Sequence, residues 1–185
     1  MKVAVRVRWR NAAGSIAVLV LIAVIAYGLP AIDRLLPAEQ RIEPGQRIEI
    51  GYNVSVLPPD GARLDVAQTR PRQGILTLRI RDVTLWLRAS DYSGTLGDAL
   101  SQLQEEMERR SDVRVSLSTD WITTGQGIRG LRGTYTASGR RGHYAVFVAY
   151  GRRVDVLTRG QRLNSKVSWE DIEGCIQSIF FGSGM

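Results

Sequence analysis

The sequence predicts an α+β protein, in which an N-terminal transmembrane helix is followed by an antiparallel β-sheet with two packed helices. Three observations support this prediction. Residues 11–32 contain no charged side chain. Several later segments alternate between apolar and polar residues, which is typical of half-buried antiparallel strands. Two further segments repeat apolar residues at helical spacing, which is typical of helices that pack on a sheet.

The uncharged run at residues 11–32 is long enough to cross a membrane. As a helix, its 22 residues would extend about 33 Å, against a hydrocarbon core of about 30 Å. The basic residues of segment 1–10 place that segment in the cytoplasm and the rest of the chain outside the cell membrane. A cleaved signal peptide is the alternative, because Val24–Ala26 resembles a cleavage site. The run continues to Ile32, however, which favours a retained anchor and a single-pass protein.

Charge limits the classes of function. The sequence pI is about 10.2, but four of the 25 basic residues precede the uncharged run, whereas all 18 acidic residues follow it. The exported part therefore has a net charge of only +3, which argues against a nucleic-acid partner. Arginine outnumbers lysine 23 to 2, which indicates a GC-rich genome and an actinobacterial or similar source.

The exported part is the size of one domain, since 153 residues follow the uncharged run. Prolines and a glycine among charged residues predict a linker over 33–46, and the pattern then predicts an extracytoplasmic α+β domain over 47–181 and a tail over 182–185. Cys175 is the only cysteine, so an internal disulfide is excluded and the core alone must hold the domain together.

The first strands of the domain are predicted from alternation. They cover Arg47–Val56, Ala62–Thr69, Ile75–Arg81 and Val83–Arg88. A turn at Pro58–Gly61 ends the first, because proline pre-sets φ and glycine accepts positive φ. Asp82 joins the last two, in which the alternation is strongest.

A helix is predicted to begin at Thr95, whose hydroxyl can cap free backbone donors, with Asp98 in the first turn. Its apolar positions are Leu96, Leu100, Leu103 and Met107. Further strands are predicted over Val113–Leu117, Ile128–Ala137, His143–Tyr150 and Arg153–Thr158, and the last three form a meander of hairpins. A second helix begins at Ser168, and its apolar stripe is Ile172, Cys175, Ile176 and Ile179.

Three features resemble chemical sites but have simpler interpretations. Gly125–Gly130 matches the G-x-G-x-x-G pattern of dinucleotide-binding loops, but a strand follows it, whereas phosphate binding by such a loop needs a helix at that place. His143, the only histidine, has no carboxylate or cysteine close in sequence, and Cys175 lies on an apolar helix stripe. No catalytic, cofactor-binding or metal-binding residue is therefore predicted, and no cofactor, although an all-oxygen calcium site stays open.

A candidate interaction surface is predicted around Trp86, which faces away from Leu85 and Leu87 and lies near arginines. Tryptophan and arginine are enriched in the residues that dominate binding energies. Trp121, in a predicted loop, is a second possible anchor. The candidate residues are Arg79, Arg81, Trp86, Arg88 and Trp121. The alternative is that a helix covers this face of the sheet too.

Two segments near the C-terminus carry a resemblance to a known fold. The order of elements, with the strand Val154–Leu157 and the closing helix Trp169–Phe180, resembles the PsbP/Mog1-like fold over roughly Arg47 to Phe181. Exported actinobacterial lipoproteins and domains of type VII secretion-associated membrane proteins look similar. This chain departs from both, since it has no lipidation cysteine near its start and only one cysteine in all. The resemblance implies a non-enzymatic domain that binds or helps assemble a larger complex.

Three hypotheses of function follow. The leading one is a single-pass, extracytoplasmic interaction module, an accessory or assembly factor whose partners are the membrane and envelope membrane proteins. The second is a carrier or sensor that holds an unidentified small ligand or lipid in an apolar cavity lined by Leu96, Leu100 or Leu103. The third is an enzyme in which two carboxylates converge in a cleft.

Overall fold

The computed structural model describes Val18, Ile22 and residues 39–110, 112–160 and 169–182. The predicted membrane helix at 11–32 therefore lies outside the described residues, except for Val18 and Ile22, which are helical and exposed. Within the described ranges, no helix has both the length and the apolar character needed to cross a membrane. The chain divides into two compact units, Met1–Pro37 and Ala38–Met185, and the second contains the fold below.

The described part of the second unit contains strands and two α-helices. In chain order they are β1 (Glu39–Arg41), β2 (Ile48–Gly51), β3 (Val54–Val56), β4 (Arg63–Asp65), β5 (Ile75–Ile80), β6 (Val83–Asp91), α1 (Leu96–Glu108), β7 (Val113–Thr123), β8 (Arg129–Ala137), β9 (Arg140–Ala149), β10 (Arg152–Gly160), α2 (Trp169–Gln177) and β11 (Phe180–Phe181). A 3-10 turn, Pro71–Gln73, precedes β5.

The strands form two antiparallel sheets. The larger has eight strands in the order β1-β4-β5-β6-β10-β9-β8-β7, and the smaller has the order β11-β3-β2. The predicted antiparallel α+β architecture with two helices is thereby confirmed, as is the meander of β8, β9 and β10. Because β6 pairs with β10, the chain crosses over through α1 and the β7–β9 strands before it returns to the middle of the sheet.

One face of the large sheet packs against α2 and the small sheet. Its buried strand residues include Leu76, Leu78, Leu85, Leu87, Phe147, Val154 and Val156. The predicted apolar stripe of the last helix is confirmed, because Ile172, Cys175, Ile176 and Ile179 are all buried in this cluster. We call it the α2 face.

The opposite face packs against α1, and we call it the α1 face. Ala99, Leu103 and Met107 of the helix lie on Tyr144 and Val146 of the sheet. The predicted helix start is confirmed: the Thr95 hydroxyl accepts from the Asp98 N–H at 3.2 Å, and the Asp98 carboxylate accepts from the Thr95 N–H at 3.1 Å. This reciprocal pair is a capping box.

Two sequence predictions near the start of the domain were wrong. The linker predicted over 33–46 contains β1, which pairs with β4. The three residues of β1 are all polar, so they carry no apolar alternation from which a strand could be predicted. The single strand predicted over Arg47–Val56 is two strands, β2 and β3. Tyr52 and Asn53 connect them with φ of 54° and 56°, as in hairpin turns, although neither is glycine.

The loop predicted around Trp121 was also wrong. Trp121 and Ile122 belong to β7, which extends over 11 residues. Its register with β8 shifts between Val115 and Thr119, where an irregularity interrupts the pairing. The irregularity also breaks the apolar alternation, so the second half of the strand does not read as a continuation of the first.

Candidate functional site

A groove of about 350 Å³ lies between the C-terminal half of α1 and strands β5, β6 and β10. We call it the α1 groove. Its uncharged walls include Thr77, Trp86, Leu103, Met107, Tyr135 and Leu157, and its charged lining is Arg88, Glu106, Arg110 and Arg159. Small-ligand sites usually measure about 300 to 1,000 Å³ and are mostly apolar with a few polar groups, so the groove has the size and lining of a small site.

The register of the sheet builds the floor of the groove. Thr77 pairs with Trp86 across β5 and β6, and Trp86 pairs with Leu157 across β6 and β10. Residues that face each other across neighbouring strands project to the same side of a sheet. The next row contains Thr84 and Arg159, so the floor continues to the end of β10.

A buried ionic cluster lies next to the groove. The Asp155 carboxylate is fully buried and accepts from Nε and Nη2 of Arg88, at 3.1 and 2.8 Å, and from Nε of Arg153 at 2.6 Å. Nη2 of Arg88 also donates to Glu106 of α1 at 2.8 Å. Burial alone would lower the pKa of Arg88, but the charges and hydrogen bonds of Asp155 and Glu106 outweigh burial and raise it.

Arg153 connects the same cluster to α1 a second time. Its side chain is buried, and Nη1 donates to Gln102 Oε1 at 2.9 Å. The guanidinium carbon lies 5.7 Å from the centre of the Tyr92 ring. Within the described residues, Nη2 of Arg153 and the Tyr92 hydroxyl have no hydrogen-bond partner. Charged hydrogen bonds therefore position α1 over the sheet at Gln102 and Glu106.

Two arginines at the groove differ from Arg88. Arg110, just after α1, and Arg159, near the end of β10, are exposed, and neither has a carboxylate within 4.0 Å among the described residues. Their charges reach the groove wall, because burial raises the pKa of Tyr135 while Arg159 and Arg110 act to lower it. Sequence reasoning missed both residues. The signal was present in β10, where Arg153, Asp155 and Arg159 share one face.

The candidate residues predicted around Trp86 do not form one surface. Trp86 and Arg88 line the α1 groove. Arg79 instead donates to Glu39 of β1 at 2.6 Å, at the other edge of the sheet. Arg81 lies in the turn between β5 and β6 with a φ of 51°. The alternative that a helix lies on this face is correct in part, since α1 packs there and supplies one wall of the groove.

Trp121 belongs to a separate surface. Its side chain is 56% exposed, and Arg129 stacks on its ring at 4.0 Å from the ring centre. The register places Trp121 in the same cross-strand row as Arg88, four strands away, or roughly 19 Å at the usual strand spacing. Val146 in the middle of that row is buried under α1. With Leu117, which is 92% exposed, Trp121 and Arg129 form what we call the edge surface.

The glycine-rich segment Gly125–Gly130 has a structural role. The N–H of Gly125 donates to the Gln177 carbonyl at 2.7 Å, and the side-chain amide of Gln126 bonds both backbone groups of Phe181, at 2.7 and 3.3 Å. A strand, β8, follows the segment, as predicted. The segment therefore fastens the end of α2 and β11 to the large sheet.

The remaining single-residue candidates also lie in structural positions. Cys175 is buried, as predicted, and burial raises the pKa of its thiol to about 12. His143 is half-buried, and burial lowers its pKa, with Arg141 and Arg132 acting in the same direction. Two carboxylates, Asp155 and Glu106, do converge on Arg88, but Asp155 has no exposed surface. That pair therefore does not offer two accessible acids to a substrate.

Comparison with known proteins gives structural likeness only. No protein-family model matches the chain, and no curated protein matches it. The solved structure of cyanobacterial PsbP (CyanoP) from Synechocystis sp. PCC 6803 is similar, with a TM-score of 0.48 and 15% identity over 78% of this chain and 93% of that chain. A protein of Bacteroides thetaiotaomicron VPI-5482 is similar with a TM-score of 0.44 and 10% identity, over 76% of this chain and 50% of that chain.

Proposed function

We propose that this protein is a single-pass, membrane-anchored and extracytoplasmic interaction module, which acts without catalysis as an accessory or assembly factor of a cell-envelope complex. The uncharged run at residues 11–32 supports the anchor and the export of the domain. The resemblance to the PsbP/Mog1-like fold and to exported actinobacterial domains is consistent with this role.

The edge surface is the observation that carries this proposal. Trp121 keeps more than half of its surface exposed, with the Arg129 guanidinium 4.0 Å from its ring centre, and Leu117, four residues earlier in β7, is almost fully exposed. Exposed tryptophan and arginine are favoured anchors in protein interfaces. β7 is also the last strand of the large sheet among the described residues, so one of its backbone edges is available for an added strand.

Site-specific photo-crosslinking tests the proposal. Full-length protein carries benzoylphenylalanine at position 121 or, as a matched control, at position 150, where Tyr150 is exposed in the turn between β9 and β10. We expect position 121, and not position 150, to crosslink one or a few envelope membrane proteins in intact membranes, and Arg129→Ala to reduce the yield. Equal crosslinking from both positions, or crosslinks from neither, would contradict the assembly role.

A second candidate function is a carrier or sensor of a small ligand, and the α1 groove favours it. Of the three leucines predicted to line a cavity, Leu103 lines the groove, whereas Leu96 and Leu100 pack in the apolar cluster of the α1 face. Thr84→Phe would fill the groove from its floor. We expect this variant to abolish binding of a small amphiphile without changing the edge surface.

A further inference from the structure

The charge of the α1 groove is unbalanced. Three arginines and one glutamate line it, so the lining has a net charge of +2. Arg88 is already bonded to Asp155 and Glu106. Arg110 and Arg159 form no ion pair within 4.0 Å among the described residues, so their guanidinium groups can bond a ligand. Asp112 offsets part of their charge, since its pKa is lowered by the Ser138 hydroxyl and also by the charges of Arg159 and Arg110. An anion between them would make charge-assisted hydrogen bonds in a partly enclosed site, where such bonds are stronger than in open water.

The interior of the groove has the opposite character. Trp86, Leu103, Met107 and Leu157 supply aromatic and aliphatic surface, and the methionine can adapt its shape to a ligand. An inorganic anion would leave this surface exposed to water. A neutral apolar molecule would leave the two arginines without a partner. The lining is therefore complementary to a molecule that carries both features.

We propose that the α1 groove binds a small amphiphile with one anionic head group, a carboxylate or a phosphate. Its apolar body lies against Trp86, Met107 and Leu157, and its head group pairs with Arg110 and Arg159. The inference rests on the second candidate function, and it names the ligand class and the residues that select it. The head group can belong to a free molecule or to a lipid of the adjacent bilayer.

Calorimetry with short probes tests the ligand class. The full chain is placed in nanodiscs of phosphatidylcholine, with empty nanodiscs as the blank, and is titrated with hexyl phosphate, hexanoate, hexanol, hexyltrimethylammonium and inorganic phosphate. We expect the affinity of each anionic amphiphile to be at least about tenfold higher than that of each of the other three probes. Binding of hexyl phosphate that weakens in nanodiscs containing phosphatidylglycerol would identify a bilayer lipid as the occupant, and unchanged binding would identify a free molecule.

Matched variants locate the binding site. The double variant Arg110→Gln with Arg159→Gln should lower the affinity for the anionic probes by at least about tenfold and leave the affinity for hexanol unchanged. The control is the double variant Arg72→Gln with Arg114→Gln, which removes the same charge from two exposed arginines outside the groove lining. It should change the affinity less than twofold, which corresponds to about 0.4 kcal/mol.

Each contrary outcome has a separate meaning. Hexanol that binds as tightly as hexyl phosphate would overturn the anionic ligand class while leaving the carrier function standing. Inorganic phosphate that binds as tightly as hexyl phosphate would overturn the role of the apolar wall. An equal loss in both arginine pairs would overturn the assignment of the head group to Arg110 and Arg159. Failure of every probe to bind would overturn the carrier function together with the inference.

Discussion

Helices α1 and α2 cover opposite faces of one sheet with different chemistry. On the α2 face, aliphatic side chains and the Cys175 thiol of the helix pack on aliphatic and aromatic side chains of the strands. One ion pair, Glu173 with Arg132 at 3.0 Å, also joins this helix to the sheet, and the cavity between Val156 and Ile176 measures only about 10 Å³. On the α1 face, the helix is held by Arg88, Arg153 and Asp155 as well as by leucine and methionine, and the α1 groove remains beside it. The α2 face is thus a dry, closely packed apolar core, whereas the α1 face has a groove lined by several charged groups.

This difference separates stability from binding. Apolar burial stabilises a fold in proportion to the area removed from water. A buried ion pair adds little to stability on balance, because desolvation of the charges offsets their attraction. The ionic cluster is therefore better explained by its geometry, since its hydrogen bonds to Glu106 and Gln102 set where α1 lies beside the groove. Variants on the two faces should then have different consequences.

The largest loss of stability is expected from Asp155→Ala. Removal of this buried carboxylate leaves Arg153 and Arg88 without their shared counter-charge, which typically costs about 3 to 5 kcal/mol. Urea denaturation of the detergent-solubilised full chain measures the free energy of unfolding. The double variant Arg153→Met with Asp155→Leu should lose less than the single variant, because it removes the buried charge as well as its partner. A larger loss in the double variant would show that the cluster contributes net stability.

A matched pair of apolar truncations compares the two faces directly. Ile176 on α2 and Leu103 on α1 are both buried. Ile176→Ala should lower the free energy of unfolding by about 3 to 4 kcal/mol, whereas Leu103→Ala should cost about 2 kcal/mol, because its cavity merges with an open groove. The same denaturation experiment measures both. An equal or larger loss at Leu103 would contradict the contrast between a dry core and an open groove.

Local patterns predicted some elements because one strong signal lies within each of them. The helix after Thr95 combines a capping residue with apolar spacing, and the alternation over Val83–Arg88 needs no distant partner to be read. Strand β1 has no such signal, since it forms only by pairing with β4.

The candidate site was predictable only in part, for a similar reason. Trp86 and Arg88 were found because one strand carries both. Arg110 and Arg159 were missed because they come from distant parts of the chain and meet only through the crossover that places β10 beside β6. Register and crossover depend on the whole sheet, so no local pattern contains them.

The pH dependence of the free energy of unfolding should show whether water reaches the Cys175 thiol on the α2 face. Burial raises the pKa of the Cys175 thiol from 9.0 to about 12. Above pH 9.0 the unfolded chain releases this proton and the folded chain keeps it, so the free energy of unfolding falls as pH rises toward 12. Between pH 8 and pH 10 we expect the unsubstituted protein to lose about 1 kcal/mol more than Cys175→Ala, which keeps the smaller contributions of the buried Tyr135 and Tyr144 hydroxyls. An equal loss in the two proteins would mean that water reaches the thiol.

The smallest effect is expected at the start of α1, where the helix depends on its own sequence rather than on either face. The Thr95 hydroxyl accepts from the Asp98 N–H, so Thr95→Ala leaves that donor without its cap and should cost about 1 kcal/mol. Thr95→Ser keeps the oxygen and should cost less. Denaturation of both variants measures the difference, and hexyl phosphate binding should change little in either, since Arg88 and Arg153 hold the helix nearer the groove. A large loss of binding in Thr95→Ala alone would show that the cap, and not the ionic cluster, positions α1.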